Sequence, residues 1–228
     1  MSNVMIVHIT RHGQVDQKTD HPVGDPYLSD LGQEQARLLG ARLKEMGFTG
    51  TVHSSPFYRT METAQIVAEV CDTAVMPAAE MREYVIREGQ MDRFEGATLK
   101  TLRGRYSRLV DHDAFPYPWW TSQIETDGDI EARVAPLIER ITEGDEDVLL
   151  VGHGASVEGT HRVILKRITP VMEDHGGICW NCVLSSFRFD NGFAVIRVMD
   201  TDHLPPEAIT ANAKSREEYL GEMEEGRQ

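Results

Sequence analysis

The sequence predicts a three-layer α/β/α domain with a mainly parallel sheet. Short apolar runs rich in β-branched residues alternate with segments of helical periodicity, a pattern typical of a parallel sheet covered by helices on both faces. Two of these runs, 4–10 and 148–151, are each followed two residues later by a histidine next to glycine. A length of 228 residues suits one such domain.

The first half of the chain gives the clearest elements. Ser29 is a good N-cap for the first helix and Gly47 a good stop, while Ser55 and Pro56 are typical of the cap and first position of the second. The predicted order is strand 4–10, helix 30–46, strand 51–54, helix 57–70 and a short strand 74–76.

The second half contains a less regular insert, 78–128, with one helix near 99–110, and long loops of this kind often serve as lids. Pro136 predicts a kink or a late start in the next helix, because proline costs about 3 kcal/mol inside a helix. The order ends with helix 129–141, strand 148–151, helix 155–167 and a hairpin of strands 182–189 and 193–199. The domain is predicted to span 1–210, with 211–228 an acidic tail that is a frayed helix or disordered.

Composition excludes several classes of protein. The chain has 23 basic and 37 acidic residues, a net charge of −14 that disfavours nucleic acid and anionic membranes as partners. No apolar run approaches a membrane span and no signal peptide is recognisable, so the cytoplasm is the expected location. Three cysteines do not form a disulfide framework, and the Cys179/Cys182 pair lacks the second pair of a structural zinc site. We therefore expect neither a metal nor a cofactor.

Charged side chains follow three of the predicted strands. Arg11 and His12 come after the first strand, His153 follows 148–151, and Arg59 lies in the first turn of the helix after 51–54. Ligands of open α/β sheets bind beyond the carboxyl ends of the strands, so these residues should meet. Guanidinium groups match phosphate oxygens, the amide groups at the start of helix 57–70 favour an anion, and a histidine nitrogen can attack phosphorus to form a covalent intermediate. The sequence thus predicts a phosphate site.

Four motifs at these junctions resemble the histidine phosphatase superfamily, which includes phosphoglycerate mutases: RHGQ at 11–14, LSDLGQEQA at 28–36, SSPFYRTMETA at 54–64 and VGHG at 151–154. The resemblance extends to DTDHL at 200–204 and implies a phosphoglycerate mutase-like fold. It also implies that His12 is the nucleophile and that His153, with the two arginines, contacts the phosphate. Gly13, Gln14 and Gly154 would contribute to substrate binding.

The leaving alkoxide needs a proton, so a carboxylic acid should lie over the pocket. Glu80, Glu83 and Glu88 are the candidates. The segment EMREYV resembles the acid-bearing segment of the family, with Glu83 on the acid, and Glu88 is the main alternative.

Substrate choice is expected to come from the insert. Pro116 to Trp120 form a stiff aromatic run in which Trp119 and Trp120 either cap the substrate or fill the core. Basic residues on the helical part of the insert could contact a second anionic group, although such residues more often form a solvated face; they are Arg93, Lys100, Arg103 and Arg105.

The predicted function is metal-independent hydrolysis of a small phosphate monoester through a phosphohistidine. Phosphoglycerate mutase-type phosphoryl transfer is the alternative, but residues 111–128 lack the paired arginines that the family's mutases carry in this region. A non-catalytic phosphate-binding module is the second alternative, and the intact set of arginines and histidines argues against it. The expected partner is a small phosphorylated metabolite, and the sequence is compatible with a monomer or a homo-oligomer.

Overall fold

A six-stranded mixed sheet forms the centre of the protein in a computed structural model that describes residues 4–18, 21–110, 115–168, 177–212 and 214–225. Its strands are β1 (Met5–Arg11), β2 (Thr51–Ser54), β3 (Val75–Pro77), β4 (Val148–Gly152), β5 (Leu184–Phe189) and β6 (Phe193–Asp200). They lie in the order β3-β2-β4-β1-β5-β6, with β1 to β4 parallel and β5 antiparallel to both its neighbours. The predicted α/β class is confirmed.

The described residues form six helices: α1 (Asp30–Glu45), α2 (Tyr58–Cys71), α3 (Leu99–Arg105), α4 (Asp127–Thr142), α5 (Gly154–Leu165) and α6 (Arg216–Glu225). A two-stranded sheet of β7 (Thr210–Ala211) and β8 (Lys214–Ser215) precedes α6. Two short 3-10 turns, Ala79–Met81 and Pro206–Ala208, complete the described elements. None of the helices in these ranges is long and apolar enough to cross a membrane.

The central strand β4 faces two separate cores. Leu149 and Val151 are fully buried in the cluster that includes residues of α1 and α2, while Leu150 belongs to the cluster with α4 and α5. Side chains alternate between the two faces of a strand, so a strand buried on both faces is apolar throughout. Each fully buried aliphatic side chain contributes about 1.5–3 kcal/mol, which fixes the strand ends where the functional residues lie.

Two helix starts differ from the sequence predictions. α2 begins at Tyr58, and the Asp25 carboxylate accepts a hydrogen bond from the Tyr58 amide at 2.8 Å, so Ser55 is not the cap. α4 begins at Asp127 and continues through Pro136, so the predicted late start is wrong. Thr126 starts it through a capping box with Asp129, a signal that outweighs the proline.

The acidic C-terminal segment is not a disordered tail over its described part. α6 packs Tyr219 and Leu220 against the core shared by α4 and α5, and the Tyr219 ring lies 5.2 Å from that of Trp180. Asn181 holds the β7 strand, because its backbone amide donates to the Thr210 carbonyl at 2.8 Å. The described residues beyond 210 therefore pack onto the same body as the sheet.

Candidate active site

Three strands deliver the predicted residues to one edge of the sheet. Arg11, the last residue of β1, pairs with Gly152, the last residue of β4, and Ser54 at the end of β2 pairs with Val151. One residue further along the chain, His12 donates its amide hydrogen to the Gly152 carbonyl at 3.0 Å. The rings of His12 and His153 are 5.3 Å apart, centre to centre.

His12 is buried, with 5% of its surface exposed. Its Nδ1 lies 2.7 Å from the Gly13 carbonyl oxygen, and because a carbonyl only accepts, Nδ1 carries the proton and Nε2 the lone pair. The Asn181 side chain donates to the His12 carbonyl at 2.9 Å and so fixes the turn. Burial, together with the charges of Arg59 and Arg11, lowers the pKa of His12 well below 6.5. The imidazole is thus neutral and has a free lone pair on Nε2.

This lowered pKa gives the first testable prediction. Burial and two guanidinium groups disfavour the imidazolium form, so His12 stays neutral as the pH falls from 8 through 6.5 and gains its proton only at lower pH. In an NMR titration, we expect the ring nitrogen shifts of His12 to remain constant between pH 8 and pH 6.5. A His12→Ala spectrum assigns the signals, and a midpoint near 6.5 would contradict the prediction.

Two guanidinium groups flank His12, and they are held differently. Arg11 donates from Nη1 to the Cys179 carbonyl at 2.9 Å and from Nη2 to Asn212 Oδ1 at 2.6 Å, whereas its buried Nε has no hydrogen-bond partner among the described residues. Arg59 is 8% exposed at the side chain and pairs with Asp25 at 3.1 Å. Both positions suit the binding of phosphate oxygens.

His153 is completely buried at the start of α5. Its Nε2 lies 2.9 Å from Ser55 Oγ, and its Nδ1, 3.4 Å from Glu83 Oε2, makes no hydrogen bond within the described ranges. Burial lowers the pKa of His153 well below its usual value, and the charge of Arg59 acts in the same direction. With the Ser55 hydroxyl donating to Nε2, the proton of the neutral ring is on Nδ1, which can then donate it in a hydrogen bond to a phosphate oxygen.

Glu83 is the acidic candidate that the structure brings to this group. Its Oε2 lies 3.4 Å from Arg59 Nη2 and 3.4 Å from His153 Nδ1. Glu88 is exposed, and Glu80 forms an ion pair with Arg140 at 2.8 Å. The geometry therefore favours Glu83 over the other two carboxylates.

A cleft of about 480 Å³ lies beside this group, but the buried His12, Arg59 and His153 are not among the residues of its described wall. Arg11 and Glu83 form part of its wall, and Gly154 presents the first turn of α5 to it. The remaining wall is formed by Tyr84, Asp127, Ala155, Glu158, Gly177, Ile178, Cys179, Asn212, Tyr219 and Met223. The C-terminal segment thus contributes to the wall, a role that its acidic sequence does not predict.

Two predicted binding residues have structural roles in this geometry. The Gly13 amide donates to Thr63 Oγ1 at 3.1 Å, and a Cβ on Gly13 would lie 2.4 Å from the Gly32 carbonyl oxygen. Gln14 Oε1 accepts a hydrogen bond from Ser29 at 2.9 Å. Both residues fasten the turn after β1 to the start of α1 rather than line the cleft.

Neither tryptophan lines the cleft. Trp119 is 3% exposed, packs against Phe57 and Phe94, and donates from Nε1 to the Ala97 carbonyl at 2.9 Å. Trp120 packs against the same cluster and is half-buried. The core-filling alternative is thus favoured over a cap on the substrate, and residues 111–114 of the predicted lid lie outside the described ranges.

The basic residues of the insert also lie away from the cleft. Arg93, Lys100 and Arg103 are exposed, and the Arg105 guanidinium lies 4.1 Å from the ring centre of Tyr27. Within the described ranges, no group of three or more histidines, cysteines or acidic residues is arranged to hold a metal ion.

Several supporting residues were not predicted from the sequence. Asp25 pairs with Arg59, Ser55 contacts His153, Asn181 holds the His12 carbonyl and Asn212 holds Arg11. Asp25 also occupies the amide end of α2, where the sequence predicts a phosphate. The turn residues around Asp25 and the CWNC segment around Asn181 were visible in the sequence, but neither lies directly after a predicted strand.

Comparison with known proteins gives a consistent picture. A family model described as "Histidine phosphatase superfamily (branch 1)" matches residues 7–202. A Salmonella paratyphi B protein named "Probable phosphoglycerate mutase GpmB" is 25% identical over 219 residues, which cover 89% of this chain and 96% of that protein.

Solved structures share the fold. The ecdysone phosphate phosphatase of Bombyx mori, solved with tungstate, has a TM-score of 0.68 and 17% identity over 95% of this chain and 99% of that one. Phosphoserine phosphatase from Entamoeba histolytica, solved with 3-phosphoglyceric acid, has a TM-score of 0.58 and 23% identity over 88% of this chain and all of the other (100%).

Proposed function

The chain belongs to the histidine phosphatase superfamily, and from that premise we propose that it hydrolyses a small phosphate monoester through a phosphohistidine at His12. One observation carries the proposal. His12 is buried and its Nδ1 is bound to a carbonyl, so Nε2 carries the lone pair. The charges of Arg59 and Arg11 act on its ring, and Glu83 contacts Arg59 and His153. This arrangement suits nucleophilic attack on phosphorus.

The proposed reaction has two displacements. His12 Nε2 attacks phosphorus, the bond to the ester oxygen breaks, and Glu83 donates a proton to the leaving alkoxide. A water then attacks the phosphohistidine, the phosphorus–nitrogen bond breaks, and Glu83 takes the proton from that water. Arg11, Arg59 and His153 stabilise the charge on the transferring oxygens in both steps.

Mutase activity is the second candidate because curated relatives are named probable phosphoglycerate mutases. Phosphoglycerate carries a carboxylate besides its phosphate and needs a second cationic partner. Within the described wall of the cleft, Arg11 is the only cation, and Asp127 and Glu158 are acidic. This balance of charge favours hydrolysis of an ester whose leaving group adds no negative charge.

The proposal is tested with a panel of phosphate esters. We expect inorganic phosphate to be released from p-nitrophenyl phosphate and from small alkyl phosphates, and no interconversion of 3- and 2-phosphoglycerate. Interconversion without net phosphate release would establish the mutase instead. Binding of phosphate without turnover of any ester would identify a binding module. A small phosphorylated metabolite as partner and the cytoplasm as location are parts of the same proposal.

Activity should survive removal of divalent metal ions. Two arginines and the amide end of α5 supply the positive charge that a metal would otherwise bring to the phosphate. We expect the rate of p-nitrophenyl phosphate hydrolysis to remain within about twofold after exhaustive dialysis against a chelator. A loss that zinc or manganese restores, while sodium chloride at equal ionic strength does not, would overturn this mechanism.

A further inference from the structure

Glu83 lies in an irregular segment, outside the strands and helices. It follows the 3-10 turn Ala79–Met81, and the next described helix, α3, begins only at Leu99. Its side chain nevertheless has to meet the leaving oxygen of a substrate bound at His12. Something outside the segment must therefore fix its position.

One guanidinium group on α4 forms hydrogen bonds with the backbone on the N-terminal side of Glu83. Arg133 donates from Nη1 to the Glu80 carbonyl and from Nη2 to the Arg82 carbonyl, the latter at 2.8 Å. Its third donor, Nε, contacts Glu125 Oε1 at 3.0 Å. From these contacts we infer that Arg133 is a positioning residue for Glu83. The inference rests on the proposed function, in which Glu83 is the proton donor.

Glu125 holds the same segment on the C-terminal side of Glu83. Its backbone amide donates to the Val85 carbonyl at 2.8 Å. Its Oε1 accepts one hydrogen bond from Arg82 Nη2 at 2.6 Å and another from Arg133. The segment is thus fastened one residue before Glu83 and two residues after it. The carboxylate also lies between two guanidinium groups, so it offsets their mutual repulsion.

The hydrogen bonds of Arg133 and Glu125 lie in rigid, buried surroundings. The side chains of Arg133 and Glu125 are 10% and 7% exposed, so their hydrogen bonds are shielded from water. α4 itself is anchored by Ile130, Val134 and Leu137, which are fully buried. A planar guanidinium offers three fixed donors to two carbonyls and a carboxylate, and a lysine cannot reproduce this geometry.

The kinetic consequence should be specific to the leaving group. His12, Arg59 and His153 are positioned by β1, α2 and α5, whereas the hydrogen bonds of Arg133 go to Glu80, Arg82 and Glu125. Besides burial, the charge of Arg133 also lowers the pKa of His153, and Arg133→Lys retains that charge. A shift of about 1 Å in the acid can cost about 10²-fold in rate. Esters with a poor leaving group need the acid, whereas p-nitrophenyl phosphate hardly does.

The test compares kcat/KM of Arg133→Ala and Arg133→Lys on an alkyl phosphate and on p-nitrophenyl phosphate. For Arg133→Ala we expect a loss of about 10²-fold on the alkyl ester and less than about 5-fold on the aryl ester, with Arg133→Lys intermediate. Combining Arg133→Ala with Glu83→Gln should add almost nothing on the alkyl ester, because both act through one carboxylate. Arg140→Ala is the matched control, since Arg140 also lies on α4 but donates to the Glu80 side chain and not to the backbone of this segment.

Three outcomes would overturn the inference: equal losses on both esters, multiplicative losses in the double variant, or the same pattern in Arg140→Ala. Thermal unfolding checks that the variants fold, and if Arg133→Ala does not, Arg133→Lys and Glu125→Gln carry the same comparison. The parent mechanism is tested separately by Glu83→Gln alone. If that variant shows no dependence on the leaving group, the proton-donor role fails, whatever Arg133 does.

Discussion

Replacing His12 with alanine is expected to lower kcat on every phosphate monoester by about 10⁴- to 10⁶-fold. The covalent route requires a nucleophilic nitrogen, and the substitution removes it rather than weakening it. His153 is no substitute, because its Nε2 is bound to Ser55 Oγ and its Nδ1 faces Glu83. Stopped-time assays on p-nitrophenyl phosphate measure this loss, with His53→Ala as the control outside the site.

A quench experiment with the same variant identifies the covalent intermediate. Wild-type protein that is mixed briefly with substrate and quenched in alkali should carry one phosphate on His12, and the label should be lost in acid. His12→Ala should carry none. A phosphate on Ser54, Ser55 or His153 would contradict the assignment of the nucleophile.

The centre of the site could be predicted because the relevant residues directly follow strands. The parallel register that pairs Arg11 with Gly152 brings the residues after β1 and β4 together, so His12 and His153 must meet. Leu149 to Val151 are apolar because both faces of β4 are covered, and this made the strand recognisable. The apolar pattern of these strands therefore predicts both their position in the sheet and the meeting of the residues that follow them.

The supporting contacts could not be predicted because they join distant parts of the chain. Asp25 is 34 residues from Arg59, Asn181 is 169 from His12 and Asn212 is 201 from Arg11. Each is a single polar residue in a turn, with no periodicity to mark it. Their effect is large, since the Asp25 carboxylate takes the amide end of α2 that an anion would otherwise use.

The aromatic run of the insert shows a different limit. A pair of adjacent tryptophans has the same sequence whether it caps a ligand or fills a core. What decides is the position of Phe57 and Phe94, which surround Trp119 and come from elsewhere in the chain. The ring centre of Phe57 in turn lies 4.9 Å from that of His153, so this aromatic cluster packs against the His153 ring.

Glu83→Gln is expected to separate substrates by their leaving groups. Glutamine keeps the size of the side chain and can still contact Arg59 and His153, which lie 3.4 Å from Glu83 Oε2, but it cannot donate a proton as an acid. We expect kcat/KM on an alkyl phosphate to fall about 10²- to 10⁴-fold, and on p-nitrophenyl phosphate far less, because its leaving group needs little protonation. Glu88→Gln, at an exposed position, is the control and should leave both rates unchanged. Equal losses on the two esters would assign Glu83 to binding, and selective loss in Glu88→Gln would move the acid there.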